Sequence, residues 1–151
     1  MVTLRPLDDT NREAIEALRI SPAQERFVST VTDSLLEAAE EPGGRAITWG
    51  VFEDETPVGF VMISDEVDGP EYIPHYLWKL LIDERYQRRG FGTATLDLIV
   101  EYFRAKGDVE ELWTSAGEGE GGPIPFYERY GFERTGRIVF EDEVLLRLDL
   151  A

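Results

Sequence analysis

"RYQRRGFGTATL", residues 85–96, gathers three arginines and two glycines within eight residues of a chain whose formal net charge is −16. It follows "HYLWKLLID" (75–83), an almost unbroken apolar run that reads as a strand buried on both faces, interrupted only by Lys79. It leads into Leu96, Ile99, Val100 and Phe103, which recur at helical spacing until Gly107 ends the helix. At such a strand-to-helix junction the first-turn N–H groups lack intrahelical partners, and the helix dipole adds about half a positive charge. Gly90 and Gly92 leave the backbone open to close approach, and Gln87, Arg88 and Arg89 supply further donors. These are the ingredients of a phosphate seat. The stretch is not a P-loop, because the Lys-Ser/Thr ending is missing. It is not the three-glycine dinucleotide fingerprint either, since Thr95 stands where the third glycine would be. By itself it reads equally as a solvated helix start.

Working outward, "VTLRPL" (2–7) is a short strand, and "DDTNREAIEALRI" (8–20) is a helix with Thr10 and Glu13 at capping-box spacing. "SPAQERFVSTVTDSLLEAAEE" (21–41) reads as one helix, with Ser21 as cap, Pro22 in the first turn and an apolar stripe at Phe27, Val28, Val31 and Leu35. "PGG" (42–44) ends it. "AITWGVF" (46–52) and "VGFVMIS" (58–64) are strands joined by the turn "EDETP". "VEELWTS" (109–115) is a strand, "AGEGEGGP" (116–123) a Gly-rich loop, and "IPFYERYG" (124–131) a short helix capped by Gly131. Two strands around Glu141-Asp142-Glu143 close the chain. The order β-α-α-β-β-β-α-β-α-β-β describes one mixed α/β domain over residues 1–151, with a central strand–loop–helix crossover.

Composition narrows the function. With 31 acidic against 15 basic residues, a nucleic-acid partner or an anionic lipid surface is disfavoured, and a polycationic ligand is favoured. The same acidity also serves solubility. Cysteine is absent and His75 is the sole histidine, so thiolate nucleophiles and Cys or multi-His metal sites are excluded, and no metal is expected. "MVTLRPLDDT" lacks a basic segment followed by an apolar run, and no apolar stretch approaches the ~20 residues of a membrane span. A cytoplasmic location is the expectation.

"LLIDERYQRRGFG", then a helix, a strand and "FYERYGF", together resemble the two signature segments of the GNAT acyltransferase superfamily. The first is a Gln/Arg-x-x-Gly-x-Gly/Ala segment, here Gln87, Gly90 and Gly92, and the second a Tyr-x-x-x-Gly-Phe segment, here Tyr127, Gly131 and Phe132. "RFVSTVTDSLLEA" (26–38), "YLWKLLIDERYQRRGFG" (76–92) and "GEGGPIPFYERYGFERTG" (119–136) resemble, more narrowly, bacterial spermine/spermidine N-acetyltransferases. The resemblance spans essentially the whole chain. It implies a mostly antiparallel sheet flanked by helices, acetyl-CoA as co-substrate, and transfer to a primary amine such as a polyamine. An aminoglycoside-like antibiotic or a protein amino terminus is the alternative acceptor, and a CoA- or polyamine-binding sensor without turnover is the rival. Relatives of this kind often form homodimers.

The resemblance also implies site residues. The pantetheine arm would lie along the backbone of Leu80, Leu81 and Ile82. The pyrophosphate would rest on the N–H groups of Gln87, Arg88, Arg89, Gly90, Phe91, Gly92 and Thr93. Tyr127 would contact the thioester and serve the leaving thiolate, while Tyr130 is the better candidate for a packing tyrosine. At reference pKa values, full proton transfer from phenol to thiolate is uphill by about 2 kcal/mol, so hydrogen bonding is the safer description. Deprotonating an alkyl ammonium near pKa 10.4 at pH 7 requires roughly 4.6 kcal/mol, which calls for a base or a water chain. Relatives often place a Glu on the central strand, but Trp78-Lys79 occupies that region, leaving Glu71, His75, Asp65 and Glu66 as open candidates. Acceptor-binding candidates are Glu25, Glu71, His75 and Trp78, with Glu37 and Glu40 on the second helix. The usual Asn before the tyrosine helix is replaced by "GEGEGGP", whose glycines offer backbone groups or slack. Neither Ser64 nor Ser115 has an obvious histidine base, so direct transfer is expected.

Overall fold

The alternating strand-forming runs assemble into one seven-stranded sheet in a computed structural model that describes residues 1–40, 45–65 and 73–151. The elements are β1 (Val2–Pro6), α1 (Arg12–Glu16), α2 (Val31–Glu40), β2 (Ala46–Glu53), β3 (Thr56–Ser64), β4 (Tyr76–Ile82), α3 (Phe91–Arg104), β5 (Glu111–Gly117), α4 (Ile124–Tyr130), β6 (Glu133–Val139) and β7 (Glu143–Asp149). This is the order read from the sequence. The sheet runs β1-β2-β3-β4-β5-β7-β6, and every pairing is antiparallel except β4 with β5. The sole parallel pair is the one joined by the α3 crossover, since parallel neighbours need a long connection.

Two apolar clusters lie on opposite faces of the sheet. One packs Leu77, Ile63, Leu112 and Leu146 against the α3 stripe Leu96, Ile99, Val100 and Phe103, all buried as the helical spacing predicts. Burying each of these large side chains contributes about 1.5–3 kcal/mol. The other cluster packs Phe60, Met62, Trp78 and Leu81 against Ile15, Leu18 and Val31 from the α1–α2 side. Tyr127 and Phe132 belong to the α3 face.

Two expectations about the helices are corrected. The first helix is only Arg12–Glu16, and no Thr10–Glu13 capping box forms. Asp8 holds the start of the turn instead, its carboxylate accepting from the Thr10 N–H (2.8 Å) and the Asn11 N–H (3.1 Å). The single helix expected over 21–41 is broken: a short 3-10 turn at Pro22–Gln24 precedes α2, which starts anew at Val31. Thr30 restarts it, its hydroxyl accepting the Asp33 N–H at 3.1 Å, because a hydroxyl competes for backbone donors and favours helix starts. The terminating "PGG" at 42–44 lies outside the described residues.

The central strand carries the feature that shapes the site. Met62 of β3 pairs with Lys79, but Ile63 pairs with Leu77, so Trp78 is an extra residue bulging from β4. A bulge breaks the in–out alternation. Trp78 and Lys79, though consecutive, therefore both reach Glu37 of α2: Trp78 Nε1 donates at 3.1 Å, and Lys79 Nζ forms an ion pair at 2.9 Å. Below the bulge β4 pairs with β5 only at Tyr76 and Leu77. Beyond it the two strands part.

Candidate active site

The parting of β4 and β5 opens a cleft of about 750 Å³, walled by the backbone of Leu80 to Ile82, the start of α3, and α4. Lys79 to Ile82 pair with β3 on one side and have no β5 partner on the other. Apart from the Ile82 carbonyl, which accepts Gln87 Nε2, their remaining backbone groups therefore face the gap, as a strand edge must. Thr114 closes the top of the gap by donating its hydroxyl to the Leu77 carbonyl at 3.0 Å.

The opening stretch forms the floor. A 3-10 turn at Glu84–Tyr86 leads into it, and Gly90 caps α3 with φ of 85°. The first intrahelical bond runs from the Ala94 N–H to the Gly90 carbonyl, which leaves the N–H groups of Phe91, Gly92 and Thr93 without intrahelical acceptors. All three residues line the cleft, as do Gln87, Arg88 and Gly90. A Cβ at Gly90 would meet nothing within 4 Å, so the helix start lies open. At Gly92 a Cβ would lie 3.1 Å from the Phe126 ring, so this glycine serves helix–helix packing as well. These features fit an anionic, extended co-substrate: unpaired strand backbone for an amide-rich arm and free N–H groups for phosphate oxygens.

Side chains in the loop do other work. Gln87 Nε2 donates to the Ile82 carbonyl and to Gln24 Oε1, both at 2.8 Å, and so clasps the loop to the Pro22–Gln24 turn. Buried Asp83 accepts from the Arg19 N–H (2.9 Å), the Arg85 N–H (2.9 Å) and Arg85 Nε (2.8 Å). Burial pushes its carboxyl up, but these donors outweigh burial and hold it below the usual range. Arg89 does not line the cleft. Its guanidinium lies 5.7 Å from the centre of the Tyr86 ring. Arg129 of α4 and Gly121-Gly122 do line it, and the sequence reading missed them as lining. The helical spacing of Arg129 from Phe126 was the available signal.

Tyr127 is buried against Phe126 and Phe132 and lines the cleft, near the Thr114 hydroxyl. Burial raises its phenol to about 12, partly offset by Thr114. It is therefore a neutral O–H at physiological pH. Tyr130 donates to Asp97 at 2.7 Å, which ties α4 to α3.

A second cavity of about 550 Å³ lies toward α2, separated from the first by Ile20, Val28 and Leu81, which line both. Its carboxylates are Glu25, Asp33 and Glu143, and its cations are Lys79, Arg19 and Arg26. Lys79 is held by Glu37, and Arg19 Nη1 donates to the backbone carbonyls of Glu16 and Leu18. Glu143, at the start of β7, was missed entirely. It pairs with Gly117 at the end of β5, which brings it to the wall of the second cavity, and its Oε1 accepts the Ser115 hydroxyl at 2.8 Å. Burial raises its carboxyl, against the opposing hydrogen bond from Ser115 and the charge of Lys79.

Of the expected acceptor residues that are described, only Glu25 lines this cavity. His75 lines neither cavity; its ring packs edge-on to Phe103, and its carbonyl accepts the Trp113 N–H, because it lies at the paired end of β4. Trp78 is buried and also lines neither, since the bulge turns it onto Glu37. Asp65 is occupied by Tyr102 (2.8 Å) and Lys106 (2.9 Å) beside α3. Glu40 is exposed. Glu66 and Glu71 lie outside the described residues.

A central strand parted from its parallel neighbour over a helix start defines an acyl-CoA transferase architecture, and comparison with known proteins agrees. The chain belongs to the acetyltransferase (GNAT) family, whose sequence profile matches residues 11–132 and whose members use acetyl-CoA. It is 24% identical to the spermine/spermidine N(1)-acetyltransferase of Bacillus subtilis (strain 168), over 99% of each chain. Its fold matches the aminoglycoside acetyltransferase AAC(6')-Ib in complex with coenzyme A, with a TM-score of 0.77 and 15% identity over 99% of this chain and 95% of that one. It also matches the ribosomal-protein-S18-alanine N-acetyltransferase of Escherichia coli, with a TM-score of 0.67 and 18% identity over 100% and 95%. Those two structures speak to the fold alone.

Proposed function

We propose that this acetyltransferase moves acetyl from acetyl-CoA directly to a primary amine of a polyamine such as spermidine or spermine. The observation that carries the transfer chemistry is the convergence of the unpaired β4 edge, the free α3 N–H groups and the Tyr127 hydroxyl on one cleft. In this reading the backbone from Leu80 to Ile82 holds the pantetheine arm, and the N–H groups of Phe91, Gly92 and Thr93 hold the pyrophosphate. Tyr127 donates a hydrogen bond to the sulfur as the C–S bond breaks. With its phenol near 12 it stabilises the thiolate without surrendering its proton. The amine enters through the second cavity and meets the thioester in the gap.

Two features support a polycationic acceptor: the −16 charge of the chain and the likeness to spermine/spermidine acetyltransferases. Each additional ammonium adds long-range attraction that salt screens over about 8 Å. Thiol release from acetyl-CoA, measured with spermidine, hexylamine, an aminoglycoside and an alanyl peptide, tests the reading. Spermidine should give the highest kcat/KM, and its advantage over hexylamine should shrink as salt rises. A salt-independent ratio near one sinks the polyamine assignment, and binding of acetyl-CoA without turnover of any amine makes the protein a sensor.

A further inference from the structure

Consecutive residues of a strand point to opposite faces, and at the parting of β4 and β5 this places two different hydroxyls back to back. Thr114 faces α4 near Tyr127 and donates to the Leu77 carbonyl. Ser115 faces the α2 side and donates to Glu143 Oε1 at 2.8 Å. Behind Ser115 stands Tyr76, buried and in short hydrogen-bond contact with the Ser115 oxygen. With Ser115 donating to the carboxylate, Tyr76 must donate to Ser115, so the chain runs one way, from Tyr76 through Ser115 to Glu143. The carboxylate is fixed at one oxygen while Glu143 forms part of the wall of the second cavity. No other half-buried carboxylate among the described residues lines that cavity, since Glu25 and Asp33 are exposed.

We propose that Glu143 is the general base of the transfer, taking a proton from the acceptor ammonium on the α2 side of the gap while Tyr127 serves the sulfur on the α4 side. The proposal rests on the acetyltransfer reading above. One ammonium proton passes to the Glu143 carboxylate. The freed nitrogen lone pair then forms the C–N bond to the acetyl carbon, and the C–S electron pair leaves on sulfur. The nitrogen's second surplus proton ends on that sulfur. The products are the acetylamine, CoA thiol and protonated Glu143, which returns its proton to solvent. The groups facing Glu143 are Ser115 from β5, Lys79 and Tyr76 from β4, Tyr127 from α4, Glu37 from α2, Asp142 on its own turn, and Arg19, Glu25, Arg26 and Asp33 around the cavity. Burial, Asp142 and Glu37 favour its protonated form, and Ser115 and Lys79 its ionised form.

The test compares wild type, Glu143→Gln and Ser115→Ala, using spermidine, alkylamines of graded conjugate-acid pKa, and a range of pH. Acetyl-CoA affinity and thermal unfolding report on folding. Glu143→Gln should lower kcat/KM roughly 100-fold at neutral pH, within the usual range for a general base, with acetyl-CoA affinity unchanged. Its deficit should narrow as pH rises or as the amine's own pKa falls, because such amines arrive already neutral. Ser115→Ala should stay active but move the acidic limb of the profile to higher pH, since it removes a hydrogen bond that favours the ionised carboxylate. A Glu143→Gln enzyme equal to wild type, or one with the same deficit for every amine at every pH, overturns the proposal alone. Wild type that acetylates no amine overturns the function reading and this proposal with it.

Discussion

Replacing Tyr127 by Phe removes one hydroxyl and leaves the ring packing on Phe126 and Phe132 in place. Burial lifts the native phenol to about 12, whereas a thiol lies near ~8.5, a gap of about 3.5 units or ~5 kcal/mol. Complete proton transfer to the departing sulfur is therefore far uphill, more so than the reference values alone imply. What the hydroxyl can supply is a hydrogen bond to an anion, about 1.5–3 kcal/mol. Removing it should lower kcat by roughly 10- to 150-fold. The Thr114 hydroxyl keeps its bond to the Leu77 carbonyl, so stability should change by no more than about 1 kcal/mol. Thiol-release kinetics with saturating acetyl-CoA, paired with calorimetric binding of CoA, measure both sides. An acid with its pKa near 12 stays protonated throughout the accessible range, so Tyr127 should impose no basic limb below pH ~10. Unchanged kcat in Tyr127→Phe, or a wild-type basic limb near pH 8–9 that disappears in the variant, would refute this account.

Gly90→Asp should weaken acetyl-CoA at least tenfold, about 1.4 kcal/mol, because its side chain projects from an open helix start and brings charge with it. Calorimetry reads this directly; undiminished affinity rules out the phosphate seat. At Gly92 a Cβ would press on Phe126, and at Gly90, with φ of 85°, any side chain strains the backbone, so thermal unfolding is measured beside affinity. Asp83→Asn should lower stability by roughly 2–3 kcal/mol, or about 5–10 °C in Tm, by weakening the bonds that tie the loop to Arg19 and Arg85. Because the native Asp83 pKa lies below its unfolded value, the gap from wild type should be complete above the unfolded range and close as pH falls through the native pKa. A gap that persists unchanged into strong acid would contradict the role given to that carboxylate.

Much of this molecule was legible in its sequence because the relevant signals are local. The α3 stripe from Leu96 to Phe103, the glycine at the helix start, the Gly131 cap and the order of strands each depend on neighbours a few residues away. Tyr127, too, lies on a short helix whose cap fixes its position, four residues before Gly131. The proton acceptor was not legible on the same terms. Glu143 reaches the second cavity through the pairing of β7 with β5 and meets Ser115, 28 residues earlier in the chain. His75, Asp65 and Trp78 were near the motif in sequence but were drawn elsewhere, by Phe103, by Lys106 and Tyr102, and by Glu37. The Trp78 bulge sets the directions of Trp78 and Lys79, and it lies where the β4–β5 ladder stops at Leu77. Periodicity along a chain reports which face a residue takes within its own element. Strand register and the bulge are set by packing among distant elements, and so only the tertiary structure decided which carboxylate stands half-buried in the wall of the second cavity.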